Sequence, residues 1–326
     1  MSPKAGREEN TMEYISGSTD FKFKNTVVTL GKFDGLHLGH QVLIYKALEC
    51  KKDGLNSVMF TFLLHPGNLF SDKDFELIYT EEEKVEIARR MGIDILISYP
   101  FTAETRSMEP EDFIKNILVE QLDVKVIVVG KDFRFGYKRR GDVDLLKQYE
   151  TTYGYQVLDC DKMELKHEVI SSSLVRKAIK QGDIPVANEM LGQPYHLTAE
   201  VVHGRRFGRT IGMPTINMIP AKVKLLPPLG VYVTVTVING IRYQSVTNIG
   251  YKPTVGADDF IGVETFIIDY SDDLYGEVLE VVFYEFLRPE LKFNSVEELI
   301  DRMKEDTLAA IHFFEQNPSL LNIQSC

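Results

Sequence analysis

Cysteine is scarce. Among 326 residues there are three, Cys50, Cys160 and Cys326, odd in number and far apart, with no C-x-x-C pair. That excludes a disulfide framework and a cysteine-based structural zinc site, and it points to a reducing compartment, the cytosol. No run approaches the ~20 apolar residues that a membrane span needs. The polar opening MSPKAGREEN lacks the apolar core of a secretion signal, and residues 1–20 read as a disordered tail. Basic residues are outnumbered, 37 Lys and Arg against 48 Asp and Glu, for a formal charge of −11. A basic face is the usual footprint of a nucleic-acid binder, so no nucleic-acid and no membrane partner is expected. A small anion held in a local basic pocket stays open. Neither G-x-x-x-x-G-K-[ST] nor G-x-G-x-x-G occurs, so the usual phosphate loops are missing.

What is present suits a soluble globular chain: 44% hydrophobic and 26% charged residues, at a length that suggests two domains. The texture changes along the chain. Thr26–Leu30, Ser57–Phe62, Ile93–Ile97 and Lys125–Val129 read as short apolar strands. Between them lie helical patterns at His40–Lys52 and Pro110–Leu122, and a capping box at Thr80–Glu83 before Val85, Ile87, Ala88 and Met91. Alternating strands and helices predict a parallel α/β sheet, whose ligands gather at the carboxyl ends of strands. After Gly192-Gln193-Pro194 the pattern is mostly β. Val231, Val233, Val235 and Val237 alternate with Tyr232, Thr234 and Thr236, and Asn239-Gly240 signals a hairpin. Glu264–Asp269 and Glu277–Leu287 read as strands, and a capping box at Ser295–Glu298 opens a last helix. The expected fold class is α/β plus all-β, with a small antiparallel barrel closed by a C-terminal helix. The boundary is expected near residues 185–195, giving domains 20–190 and 191–326.

The segment TLGKFDGLHLGH, Thr29–His40, ends a strand in Gly31, Phe33, Asp34 and Gly35 and opens a helix near His37 and His40. Glycines let backbone amides approach an anion, and the helix start adds unpaired N–H groups. Two imidazoles facing that turn can donate to phosphate oxygens as charge builds. Alone, two histidines are weak evidence, equally suited to a helix cap or a metal. The full string G-x-F-D-G-x-H-x-G-H resembles the H-x-G-H signature of nucleotidylyltransferases. In its longer form it is similar to the N-terminal domain of the bacterial bifunctional riboflavin kinase/FAD synthetases. Val128–Gly141 (VVGKDFRFGYKRRG) and Ile170–Arg176 (ISSSLVR) resemble further runs of that family. The resemblance implies a Rossmann-like nucleotidylyltransferase domain in which Gly31, Phe33, Asp34, Ser172, Ser173 and Arg176 bind ATP, with His65, Pro66 and Asp132 near the flavin. Lys138-Arg139-Arg140 reads as a solvated loop. One departure stands out: the family's F-D-P-H-P is here Phe62-Leu63-Leu64-His65-Pro66.

The second segment, HGRRFGRTIGMPTIN, runs from His203 to Asn217 with glycines at Gly204, Gly208 and Gly212. Thr215 and Asn217, two apart on a strand, face the same side and offer hard oxygen ligands for Mg²⁺. Alone, P-T-x-N is more often a turn and strand start. The run resembles the riboflavin kinase signature G-R-x-x-G-x-P-T-x-N, and the order of later runs agrees. That resemblance implies ATP binding by Gly208, Gly212 and Thr215, Mg²⁺ at Thr215 and Asn217, Glu264 as catalytic base and Arg288 near the flavin. Phe266 stands where the family commonly has histidine. The implied activity is phosphorylation of riboflavin to FMN, then adenylylation of FMN to FAD, with ATP as co-substrate for both. The alternatives are a kinase with a degenerate first domain, a non-catalytic flavin- or nucleotide-binding regulator, and a nucleotidylyltransferase with another acceptor.

Overall fold

The computed structural model describes residues 12–63, 76–204, 208, 212–252 and 260–322. By packing, these form two compact units, 12–63 with 84–170, and 76–83 with the described residues from 171 onward.

The first unit is built on six parallel strands: β1 (Glu13–Ser16), β2 (Thr26–Leu30), β3 (Asn56–Leu63), β4 (Ile95–Pro100), β5 (Val124–Gly130) and β6 (Gln156–Cys160), in the order β1-β4-β3-β2-β5-β6. Every residue of β2 is buried, as its apolar run requires of a strand covered on both faces. Successive side chains alternate. Val27 and Val128 pack under Leu43 and Ala47 of α1 (Leu38–Cys50). Val28, Leu30, Phe60 and Ile127 join Phe113, Ile114 and Leu118 on the opposite face. The chain steps from β2 outward to β3 and β4, then returns to lay β5 on the other side of β2. That reversal is a topological switch point, where ligand crevices open at the strand ends.

Two expectations are corrected here. Residues 1–20 are not simply a tail, because Glu13–Ser16 pairs in register with Ile95–Ser98 as an edge strand. Pro110–Leu122 is not one α-helix: Pro110–Asp112 make an α-turn and Phe113–Gln121 wind as a π-helix, the wider turn sending Phe113, Ile114, Ile117 and Leu118 into the core.

The second unit contains α2's opening residues within Glu81–Arg90, then α3 (Ser172–Gln181), α4 (Ile184–Leu191) and a closed antiparallel barrel. Its strands are β7 (His196–Val202), β8 (Thr215–Met218), β9 (Gly230–Ile238), β10 (Ile241–Lys252), β11 (Phe260–Ile267) and β12 (Val278–Arg288), ordered β7-β8-β11-β10-β9-β12. Asn239 and Gly240 turn between β9 and β10 with φ of 52° and 77°, the left-handed pair that suits a two-residue hairpin. Val233, Val235 and Val282 pack against Ala310 and Phe314 of α5 (Val296–Gln316). The other face of β9 is hydroxylated. Thr234 bonds Ser245 at 3.0 Å and Thr247 at 2.8 Å, Thr236 bonds Ser245 at 3.0 Å, and Thr247 bonds Thr265 at 2.9 Å, all buried. No helix among the described residues is long and apolar enough to cross a membrane.

Candidate functional site

The turn between β2 and α1 is strained. Phe33, Gly35 and Leu36 hold φ of 48°, 85° and 44°, and for the two non-glycine residues that backbone is costly. Burial of both side chains holds it, as does Thr61 Oγ1 donating to the Lys32 carbonyl at 3.0 Å. A Cβ on Gly31 would press on the Phe33 ring at 3.1 Å. Asp34 lies half-buried in the same turn.

His37 is the N-cap residue of α1, yet its side chain makes no capping bond. Instead its ring stacks on His40, centroids 3.8 Å apart and planes 19° off parallel, while Phe33 meets His40 at 5.2 Å and 63°. Gly39 makes the stack possible, since a Cβ there would sit 3.2 Å from the His37 ring. Burial lowers the His37 pKa to about 4, and burial reinforced by the neighbouring His37 drives His40 well below its ordinary value. At neutral pH both rings are uncharged, each with one N–H to donate. Among the described residues, Nδ1 of each is buried without a hydrogen-bond partner, which is unusual away from a functional site. The pair stands at the switch point beside a helix N-terminus.

The other residues expected around that site make contacts of their own. Asp132, in the turn after β5, is largely exposed and pairs with Lys162 at 2.9 Å, which holds its carboxyl below the usual range. Phe133 stacks on Phe135 at 5.5 Å. Arg140 pairs with Glu109 and Glu111, as suits a solvated loop. Ser171, rather than Ser172 or Ser173, caps α3, accepting from the Leu174 amide at 3.3 Å. Arg176 donates to the Glu76 carbonyl at 3.2 Å and more weakly to Ser172 at 3.5 Å. Ser172, Ser173 and Arg176 pack with the second unit. His65 and Pro66 lie outside the described residues.

In the barrel several of the candidates meet. β8 pairs with β11 so that Thr215 faces Phe266 and Asn217 faces Glu264. Thr215 Oγ1 donates to Glu264 Oε1 at 2.7 Å. Gly204 makes a cradle for Asn217, because a Cβ there would overlap the side-chain amide. Gly208 accepts from the Met213 amide at 2.9 Å, and a Cβ at Gly208 would strike the Met213 carbonyl. Gly212 holds φ of 75°. Thr215, Glu264, Phe266, Arg288 and Met303 line one cavity of about 190 Å³. The donor set of hydroxyl, amide and carboxylate oxygens, with the Gly204 cradle, fits Mg²⁺ in the company of substrate phosphates. No cluster of three or more His, Cys, Asp or Glu able to hold a metal occurs among the described residues.

Arg288 lines the cavity, but its guanidinium is engaged by Asp306 of α5: Nε lies 3.0 and 3.1 Å from the two carboxylate oxygens and Nη2 lies 2.7 Å from Oδ2. Asp306 belongs to none of the sequence motifs. Its signal is a charged residue within the apolar stripe of Leu299, Met303, Ala310 and Phe314. Gly39 and Gly204 are likewise legible only as space for a neighbour.

A parallel α/β unit with an imidazole pair at its switch point, and a closed barrel with Thr, Asn and Glu on adjoining strands, define the class: two-domain proteins that handle nucleotides at an α/β sheet and at a barrel. Residues 20–174 match the family model described as FAD synthetase, and residues 191–314 that described as riboflavin kinase. A bifunctional riboflavin kinase/FMN adenylyltransferase of Listeria monocytogenes is 37% identical over 89% of this chain and 93% of its own length. Its counterpart in Bacillus subtilis is 34% identical over 89% and 92%. A crystal structure described as a macrolide-efflux protein from Streptococcus pneumoniae, 30% identical, covers 92% of this chain and 98% of its own with a TM-score of 0.81. The chain belongs to the bifunctional riboflavin kinase/FMN adenylyltransferase family.

Proposed function

We propose that this chain makes FMN from riboflavin and FAD from FMN, using ATP twice, with residues 20–190 serving the adenylyl step and 191–326 the kinase step. The observation that carries the reading is the Thr215–Glu264 contact at 2.7 Å across β8 and β11, in a chain whose imidazole pair is also intact.

In the kinase step the riboflavin 5′-hydroxyl oxygen attacks the γ-phosphorus, the bond to the β–γ bridging oxygen breaks, and ADP leaves with that electron pair. Glu264 accepts the hydroxyl proton. Thr215 fixes the carboxylate by bonding Oε1, and such general-base help is typically worth ~10²–10⁴-fold. Thr215 and Asn217 are the residues that would hold Mg²⁺, which supplies charge neutralisation on the phosphates. Phe266 gives that face an apolar neighbour in place of a second titratable one. In the adenylyl step an FMN phosphate oxygen attacks the α-phosphorus of ATP and pyrophosphate leaves, so no protein nucleophile is required. The neutral His37 and His40 donate N–H bonds to phosphate oxygens as charge grows. The first amides of α1 serve the same anion. Ser172, Ser173 and Arg176 are assigned to the ATP phosphates by their match to the family run, and Asp132, His65, Pro66 and Arg288 to the flavin. A reducing, cytosolic setting is supported by the scarcity of cysteine, with Cys50 and Cys160 free thiols.

Chromatography of flavins after incubation with riboflavin, ATP and Mg²⁺, and separately with FMN, ATP and Mg²⁺, tests the reading. FMN from the first mixture and FAD from both are expected. FMN without FAD identifies the Leu63-Leu64 change as disabling, and no product in either mixture leaves only a binding protein. His40→Ala is expected to lower FAD formation at least 100-fold while sparing the kinase, and Glu264→Ala to do the reverse.

A further inference from the structure

Among the described residues, the C-terminal helix presents one carboxylate to the barrel from an otherwise apolar face. Asp306 is 3% exposed, with Met303 one turn before it and Ala310 one turn after. A buried carboxylate is costly unless paired, and a well-packed apolar residue would often serve stability as well. Asp306 is paired three ways with Arg288, at 2.7, 3.0 and 3.1 Å, and Arg302 Nε approaches it at 3.3 Å. Arg288 Nη1 donates to the Pro289 carbonyl at 3.0 Å, and the guanidinium lies 5.9 Å from the Phe293 ring centroid. A planar guanidinium bonded along one edge is held in orientation as well as in place. Arg288, Asp306 and Phe293 line the same cavity as Glu264 and Thr215. Here the wall of the site is set by an ion pair between the end of β12 and the middle of α5.

Resting on the kinase reading above, we infer that Asp306 is a positioning residue for riboflavin: it locks the Arg288 side chain as a rigid wall of the cavity and touches no reacting atom itself. Such a residue affects how well the flavin is held, leaving the phosphoryl transfer at Thr215, Asn217 and Glu264 alone. Losing it leaves the guanidinium unfixed, so the flavin loses that ordered wall.

The test is steady-state kinase kinetics on the full chain, with riboflavin and ATP varied separately. Asp306→Ala is expected to raise the riboflavin KM at least tenfold, with kcat and the ATP KM within about twofold of wild type. Asp306→Asn keeps one acceptor oxygen and the side-chain shape, and is expected to fall between. Arg288→Ala is expected to match Asp306→Ala, and the double variant to exceed either single by less than twofold, because one residue acts through the other. If Asp306→Ala does not fold, Asp306→Asn decides alone, and an unchanged riboflavin KM in it overturns the proposal. Riboflavin and ATP KM rising together, or effects that multiply in the double variant, also overturn it, by showing a general structural role. Wild-type protein that makes no FMN fails the kinase reading itself, and the proposal with it.

Discussion

At the scale of single residues, His37 is the most informative side chain. Its ring is buried, stacked on a second imidazole, and has its pKa lowered to about 4 from 6.5. The folded state therefore resists a proton that the unfolded chain takes up. On lowering pH the unfolded state protonates first, so His37's stabilising contribution is complete above about pH 6.5 and is lost as the pH falls toward 4. The full difference is on the order of 3 kcal/mol. His40 acts in the same direction. The His37 ring resonances are expected to titrate with a midpoint near 4 by NMR. In urea denaturation, His37→Asn is expected to show a shallower loss of stability than wild type between pH 6.5 and 4. Equal slopes for the two proteins would mean that the stacked ring is solvated and ordinary.

At the scale of elements, the segment Glu76–Glu83 is the least expected part of the fold. It comes early in the chain and packs with the barrel unit. Thr80 and Glu83 form the capping box legible in the sequence, the Thr80 amide donating to Glu83 Oε2 at 2.8 Å. The same carboxylate accepts from the Thr198 amide at 2.7 Å and from Lys224 Nζ at 2.6 Å. Lys224 also donates to the Ile78 and His196 carbonyls at 2.8 and 2.6 Å and lies over the rings of Tyr79 and Tyr195. Both charged side chains are 1% exposed. Breaking a buried pair from one side leaves a stranded charge and costs about 3–5 kcal/mol. Lys224→Met is expected to destabilise by that amount in chemical denaturation. Lys224→Met with Glu83→Gln is expected to cost less than Lys224→Met alone, since no charge is then left behind. A double variant with the summed cost of both singles would show the two groups to be uncoupled.

That contrast marks what could be read from the chain. The β9–β10 hairpin was legible because alternation and an Asn-Gly turn are local, and so was the H-x-G-H turn, whose residues touch one another within a helical turn. The edge strand Glu13–Ser16 was not. It has four residues, is mostly exposed and pairs with residues near Ile95, so neither periodicity nor burial distinguishes it from a tail. The partners of Glu83 and Asp306 are equally non-local, Lys224 and Arg288. A capping box explains Glu83 locally, which hides its second role. Gly39 and Gly204 matter through the space they leave beside His37 and Asn217, and that shows only in three dimensions.

At the scale of the whole molecule, the two reactions share a flavin and ATP but attack different phosphorus atoms. One breaks ATP at the α-phosphorus and the other at the γ-phosphorus, and the proposed roles put imidazoles at the first and a carboxylate at the second. FMN is product of one and substrate of the other. If it dissociates between steps, the two sites need not belong to one polypeptide. His40→Ala retains Thr215, Asn217 and Glu264, and Glu264→Ala retains the imidazole pair, so each variant carries what the other lacks. Neither alone is expected to convert riboflavin to FAD. An equimolar mixture is expected to do so after a lag, with free FMN rising first and then falling, and the lag is expected to shorten as total protein increases. That dependence separates transfer through solution from hand-over within one chain. A mixture that accumulates FMN but never FAD, from variants each active in its own half-reaction, would show that FMN must stay with the chain that made it.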